Sequence, residues 1–254
     1  MSGAVDAVVA AGGRLGPDDS TRFGTDVKAL ARIGEHTLIA CLVAALRSAP
    51  EIADIAVVGP EAVRRAAPDV DRWADEGSSG EENVLLALRA GRTARVLFCA
   101  ADLPFIRSEA VSGFLSRVPG DAVAAYPAFL RNDFLAAFPG GRSHFFRLAD
   151  GEWTGGSVVL LEPTGLLRRE ALIRSAFSAR KNPASLARIF GPSLAAGFAL
   201  GRVGVKNIEA RASALLGGRV CVILGADPCL AMDCDESADF DYALAHANDP
   251  RSRS

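Results

Sequence analysis

Three groups of residues in this sequence carry types and spacings that suggest chemistry. The first is Ala10-Ala11-Gly12-Gly13-Arg14, followed by Arg22-Phe23-Gly24 and Lys28-Ala29-Leu30. Glycines directly behind an apolar run let backbone N–H groups approach an anion closely. Two arginines and a lysine nearby add fixed positive charge, a combination that suits a polyphosphate. The stretch lacks the Gly-Lys-Ser/Thr of a Walker loop and the G-x-G-x-x-G of a dinucleotide site. A tight turn bearing ordinary surface charge is the plainer alternative.

The second group is Phe98-Cys99-Ala100-Ala101-Asp102-Leu103-Pro104. A carboxylate at the end of an apolar strand lies at the ligand-binding rim of an open α/β sheet. Asp102 there suits Mg²⁺, which takes one or two carboxylates and fills its shell with phosphate oxygens and water. A turn aspartate capping the next helix would look the same. The third group, Met232 to Phe240, sets Asp233 and Asp235 two apart ahead of a helical segment, as metal ligands or as anions at a helix terminus. Asp239 and Asp241 read as solvated helix positions. His36, His144 and His246 are too scattered to suggest a site, and Cys229 and Cys234 lack the second pair that zinc requires.

These residues need elements to hold them. Ala4 to Ala11 is an apolar run ending at Gly12-Gly13, as a strand buried on both faces should be. A polar, Gly-rich stretch follows to about Asp26. Thr37 to Arg47 reads as a helix with Thr37 as cap, Ile52 to Gly59 as a strand, and Ser79 to Ala90 as a helix. Arg95 to Ala101 and Asp121 to Tyr126 read as strands, with a helix over Ser108 to Arg117 between them. Ser143 to Leu161 holds two β-like runs about Ala149-Asp150-Gly151, a hairpin signal. Three or four helical segments fill Gly165 to Leu216. Arg219 to Leu224 and Leu230 to Cys234 are strand-like, and Ser237 to Ala247 closes the pattern as a helix. The expectation is one α/β domain over 1–247: a mostly parallel open sheet with helices on both faces, an inserted hairpin and helical segment, and a polar tail at 248–254.

Composition narrows the class. Of 254 residues half are hydrophobic and 23% charged, which excludes a disordered chain. With 28 basic against 30 acidic residues the net charge is -2, so the basic face that a sequence-independent nucleic-acid binder needs is not expected. No apolar run reaches the ~18 residues of a membrane span. The first residues read as a buried strand and not as a signal peptide. Five cysteines without a C-x-x-C pair fit a reduced, cytoplasmic protein.

Taken in order, the Ala-Ala-Gly-Gly loop with Arg22-Phe23-Gly24 and Lys28-Ala29-Leu30, then Ala101-Asp102-Leu103-Pro104, Thr154-Gly155-Gly156 and Asp233-Cys234-Asp235-Glu236-Ser237-Ala238-Asp239-Phe240, resemble the MobA-like nucleotidyltransferase family. The resemblance spans about Ala4 to Ala247. It implies a Rossmann-like fold of the glycosyltransferase-A type. It also implies attack by a small-molecule acceptor, usually a phosphate, on the α-phosphorus of a nucleoside triphosphate, with GTP or CTP favoured and pyrophosphate released. Matched to the family, Ala10, Ala11, Gly12, Gly13 and Arg14 fall in the triphosphate loop. Arg22 is its loop arginine and Lys28 the lysine that stabilises phosphate charge. Asp102 and Asp235 match the ligands of Mg²⁺ or Mn²⁺. Segments at Glu81-Glu82-Asn83-Val84, Thr154-Gly155-Gly156 and Arg180-Lys181-Asn182-Pro183 look like one branch of the family. Asn83 then faces the ribose or base, or is simply a polar residue beside a cap. Gly155 and Gly156 admit the acceptor, or form a bulge, and Arg142 and Lys181 meet acceptor phosphates. The chain departs from the family in the added Gly16-Pro17-Asp18-Asp19, in Glu236-Ser237 where Thr-Pro is common, and in Ser157 where that branch often has Asn. Two further readings stay open: a nucleotide-binding protein without turnover, and a transferase using a nucleotide-sugar donor.

Overall fold

The computed structural model describes residues 4–67, 69–179, 189 and 191–247. Its central feature is a nine-stranded sheet. The strands are β1 (Val5–Ala10), β4 (Ile52–Gly59), β5 (Arg72–Asp75), β6 (Val96–Ala100), β7 (Ala122–Leu130), β8 (Phe146–Leu148), β9 (Gly151–Gly155), β10 (Val158–Leu161) and β11 (Arg219–Leu224). Two short strands, β2 (Arg32–Ile33) and β3 (His36–Thr37), form a separate hairpin. The order begins β5-β4-β1-β6-β10-β7, with β11 parallel to β7. β5, β4, β1 and β6 are mutually parallel, and β10 is antiparallel between β6 and β7. The expected mostly parallel open sheet with helices on both faces is the observed one.

Period-2 alternation explains the two packed faces. Val5, Ala7 and Val9 point into the larger core, shared with Leu38, Leu42 and Leu46 of helix Leu38–Ser48 and Phe114 of helix Ser108–Arg117. Val8, Ala56, Val58 and Val96 pack on the other side with Ala87 of helix Gly80–Ala90. Full burial of such a side chain stabilises the fold by about 1.5–3 kcal/mol. The N-cap anticipated at Thr37 forms, accepting from the Ala40 N–H, and Ser79 caps helix Gly80–Ala90 in the same way, accepting from that of Glu82.

The first strand is less uniform than its apolar appearance suggests. Asp6 is 1% exposed, and its Oδ2 accepts from Arg72 at 2.6 Å and from the Arg92 N–H at 2.7 Å. A buried carboxylate is tolerable only when so paired. Several short elements escape the periodicity: helices Pro17–Phe23, Glu61–Ala66 and Arg131–Ala137, and strand β5. Leu230 to Cys234 is not a strand. Pro228–Leu230 forms a three-ten turn capped by Asp227, and irregular chain follows.

The inserted region packs in two places: helices Pro163–Leu167 and Glu170–Ala179 lie on helix Gly80–Ala90, and the hairpin packs around Trp153. Leu148 and Trp153 of the β8–β9 hairpin share a cluster with Val203 and Val205. Asp150 in the hairpin turn accepts from the Trp153 indole at 3.2 Å and from the Val205 N–H at 2.9 Å, at the start of helix Val205–Leu216. That helix also covers the outer edge of β11, where Ser213 Oγ and Glu209 Oε1 accept from the N–H groups of Val220 and Val222. An edge so occupied is closed to pairing with another strand. Residues 180–183 and the tail at 248–254 lie outside the described residues. Among the described residues no helix is long and apolar enough to cross a membrane.

Candidate active site

The parallel strands deliver their loops to one rim of the sheet. β1 ends at Ala10, and the next residues turn back so that the Gly13 carbonyl accepts from the Lys28 N–H at 3.0 Å. Arg14 forms a lone bridge with Val27, and the Leu15 N–H reaches the Asp26 carbonyl at 2.8 Å. This closure places the Lys28 stem against Gly13. The added residues form helix Pro17–Phe23, which docks on the C-terminal helix Ser237–Ala245. Ser237 donates to Asp19 at 2.7 Å, Arg22 pairs with Asp241 at 2.7 Å, and the rings of Phe23 and Phe240 stand 5.0 Å apart.

Lys28 reaches both acids named from the sequence. Its Nζ donates to Asp102 Oδ2 at 3.1 Å and to Asp235 Oδ1 at 2.5 Å. Asp102 and Asp235 are 133 positions apart in the chain, and one backbone bond explains their approach: the Cys234 N–H donates to the Asp102 carbonyl at 3.0 Å. Asp239 then fixes the loop from its far side, accepting from the N–H groups of Asp235 at 3.1 Å and Glu236 at 2.8 Å. Expected to be solvated, Asp239 is 8% exposed and works as the helix-capping carboxylate.

Burial works to lower the Lys28 pKa, but Asp102 and Asp235 outweigh it and hold the ammonium well above its ordinary value. Burial pushes the Asp102 carboxyl up even with Lys28 opposing it. Its second oxygen, Oδ1, is buried without a hydrogen-bond partner. Asp233, which accepts from Ser157 at 2.5 Å, is pushed up to about 6 by burial and by the neighbouring Asp102.

Two cavities flank this cluster, Lys28 and Asp102 lining one and Asp235 the other. The first, of about 360 Å³, is lined by Ala10, Ala11, Gly12, Gly13, Lys28, Asn83 and Asp102, together with apolar residues of β6 and helix Gly80–Ala90. Asn83 accepts the Gly77 N–H at 2.6 Å and turns its amide toward Gly12, where a Cβ would lie 3.0 Å from Asn83 Nδ2 and 2.6 Å from Glu76 Oε2. Glu76 escapes sequence analysis. It forms an ion pair with Arg14, whose guanidinium also donates to the Gly12 carbonyl at 2.8 Å. Of the sequence-selected cations, Lys28 faces the cavity, Arg14 flanks its glycine turn, and Arg22 is held on Asp241.

The second cavity, of about 350 Å³, includes Arg142, His144, Gly155, Gly156, Asp233 and Asp235 in its wall. Thr154-Gly155-Gly156 sits where the chain leaves β9 and enters β10. The two strands share one edge of β7, and their register breaks at Gly156–Ser157. A Cβ on Gly156 would come within 2.7 Å of Pro127 and 3.0 Å of the Leu230 carbonyl, so the close packing of the bulge itself requires glycine. Ser157 bonds across it to Leu230 and Ala100. Arg142 pairs with Glu236 at 3.6 Å in an exposed position.

A Rossmann-like sheet with a glycine turn, a lysine and two convergent carboxylates at its rim defines the class of nucleotide-handling transferases. The comparison with known families is more specific. A family model described as the MobA-like NTP transferase domain matches residues 7–190, and the chain belongs to that family. Among solved structures, a hypothetical transferase from Thermus thermophilus is 28% identical, with a TM-score of 0.83 over 93% of this chain and 99% of that one. A nucleotidyl transferase from Methanothermobacter thermautotroptrophicus is 19% identical, with a TM-score of 0.57 over 96% and 97% of the two chains. The 2-C-methyl-D-erythritol 4-phosphate cytidylyltransferase, also from Thermus thermophilus, is 16% identical, with a TM-score of 0.54 over 96% and 98%. The last two likenesses concern the fold. No curated protein matches the chain.

Proposed function

We propose that this transferase moves a nucleoside monophosphate from a nucleoside triphosphate to a small-molecule acceptor that carries a phosphate, releasing pyrophosphate. The observation that carries the reading is the position of Lys28, on the wall of the first cavity with Asp102 and bonded to Asp235 on the wall of the second. The first cavity takes the triphosphate, with backbone N–H groups of Gly12 and Gly13 toward the phosphates and Asn83 toward the ribose or base. The second takes the acceptor, with Arg142 toward its phosphate and Gly155-Gly156 as its floor. Among the favoured nucleotides, CTP is supported by the cytidylyltransferase among the structural relatives.

Asp102 and Asp235 would hold Mg²⁺ or Mn²⁺. The orphaned, buried Oδ1 of Asp102 fits that role, as does a donor set of two hard carboxylates whose shell phosphates complete. The cation supplies neutralisation of phosphate charge. The acceptor oxygen forms a new bond to the α-phosphorus while the α–β bridging bond breaks, its electron pair leaving with pyrophosphate. An acceptor that is already an anion needs no base. The chain's task is therefore alignment and charge neutralisation. Lys28 stabilises the charge developing on the transferred and leaving phosphoryl groups, with Arg14 beside the glycine turn as the loop's further cation; Arg22, held on Asp241, anchors helix Pro17–Phe23 instead. Loss of one such preorganised donor lowers a rate by about 100- to 1000-fold.

The test is pyrophosphate release measured with GTP, CTP, ATP and UTP, each with Mg²⁺ and a panel of phosphorylated acceptors. One nucleotide should stand out, with release dependent on acceptor. Tight nucleotide binding with no release under any combination would favour a binding protein on the same scaffold.

A further inference from the structure

The carboxylate pair already has a cation in this structure, and it belongs to the protein. The Lys28 side chain is 13% exposed and spans Asp102 and Asp235 at 3.1 and 2.5 Å. Two carboxylates aimed at one point repel each other strongly unless a positive charge lies between them. The same residue is tied by its backbone to the Gly13 carbonyl, so its stem begins beneath the turn proposed for the triphosphate. A lysine suits a dual position: a compact ammonium on a flexible four-carbon stem, with three donors that reorient freely.

We infer that Lys28 is a displaceable internal counter-ion, closing Asp102 and Asp235 to a divalent cation until a triphosphate on the Gly12-Gly13 turn draws the ammonium away. Cation and nucleotide then load together, and the empty protein binds little metal. The inference rests on the reading given under Proposed function, and it makes Lys28 a positioning residue for loading as well as a stabiliser of the transferred group.

Binding of Mn²⁺, followed by the electron paramagnetic resonance signal of the free ion, tests it without turnover. Wild-type protein alone should bind Mn²⁺ weakly, and adding the α,β-methylene analogue of CTP or GTP should create tight binding well beyond that of the same analogue without protein. Lys28→Gln should bind Mn²⁺ at least about tenfold more tightly than wild type with no nucleotide present. Adding Asp102→Asn to that variant should remove the gain. A second measurement needs no variant: the wild-type melting temperature should ignore Mn²⁺ alone, yet rise further with Mn²⁺ plus analogue than with analogue alone. Lys28→Gln binding no better than wild type, or a melting temperature raised by Mn²⁺ alone, overturns the counter-ion. Analogue-dependent Mn²⁺ binding that Asp102→Asn leaves intact would overturn the metal assignment itself.

Discussion

The two cavities on either side of the Lys28–Asp235 pair are built in different ways. The wall of the first comes from the ends of β1 and β6 and the residues directly behind them, from the start of helix Gly80–Ala90, and from Lys28 and Ala29. All but the last two sit where a parallel strand ends or a helix begins, so short-range sequence logic delivers them to the rim; Lys28 is brought in by its backbone bond to Gly13. The wall of the second comes from the 142–146 stretch, the break between β9 and β10, and the turn from Ala231 to Asp239. Those pieces meet only through tertiary bonds, among them Ser157 to Leu230 and Cys234 to Asp102. The cavity proposed for the nucleotide thus follows largely from the fold's topology, whereas the one proposed for the acceptor is assembled by bonds between segments distant in the chain.

That contrast can be broken or sharpened by substitution. The largest effect should come from Asp102→Ala and Asp235→Ala, each abolishing pyrophosphate release with the circular dichroism spectrum unchanged. Full activity in either would separate the carboxylates from the chemistry. Next, Asp6→Ala takes the buried partner from Arg72 and from the Arg92 N–H, leaving Arg72 with Asp54 at 3.4 Å. It should cost about 2–3 kcal/mol in urea unfolding, with activity per folded molecule retained.

Arg142→Ala confines its effect to the acceptor half. The KM for a phosphorylated acceptor should rise about tenfold while nucleotide affinity stays constant; a weakened nucleotide would mean that the cavities are not separate. Asp239→Ala removes the cap that sets the Asp235 loop, at about 1 kcal/mol of stability, and should slow turnover more than that loss explains. The smallest effect concerns Asp71, on the approach to β5. The Ile55 N–H and Arg47 hold its carboxyl below the usual range. A depressed carboxyl stabilises the fold above its unfolded pKa of 3.8, and that contribution fades as pH falls through the lower folded value. Asp71→Asn should flatten this acid limb of the stability curve and leave the neutral range nearly level.

Much of the first half was legible because its signals are local. An apolar run stopped by two glycines, a threonine cap ahead of helix Leu38–Ser48, and an aspartate closing β6 each mark their own place. The family resemblance supplied what spacing did not, pairing Asp102 with Asp235 across the chain. The misses share one cause: a partner distant in sequence decides the residue's state. Asp6 looks like a lapse in an apolar strand until Arg72 is beside it. Asp239 looks solvated until the turn before its helix folds back onto it. Glu76 has no motif, and only the approach of β5 to β1's loop brings it to Arg14 and Gly12. Leu230 to Cys234 has strand composition, but Pro228 and the Asp227 cap set a three-ten turn and the run beyond pairs with no strand.

In the proposed reaction Lys28, Asp102 and Asp235 mark the point where the α-phosphorus sits, between nucleotide and acceptor. A crystal structure with the α,β-methylene analogue of CTP or GTP and Mn²⁺ tests it most directly. The account predicts anomalous manganese density against Asp102 and Asp235, the triphosphate over Gly12 and Gly13, and Lys28 Nζ moved onto a phosphate oxygen. Manganese elsewhere, or a triphosphate lying in the cavity walled by Arg142 and Gly156, would contradict it.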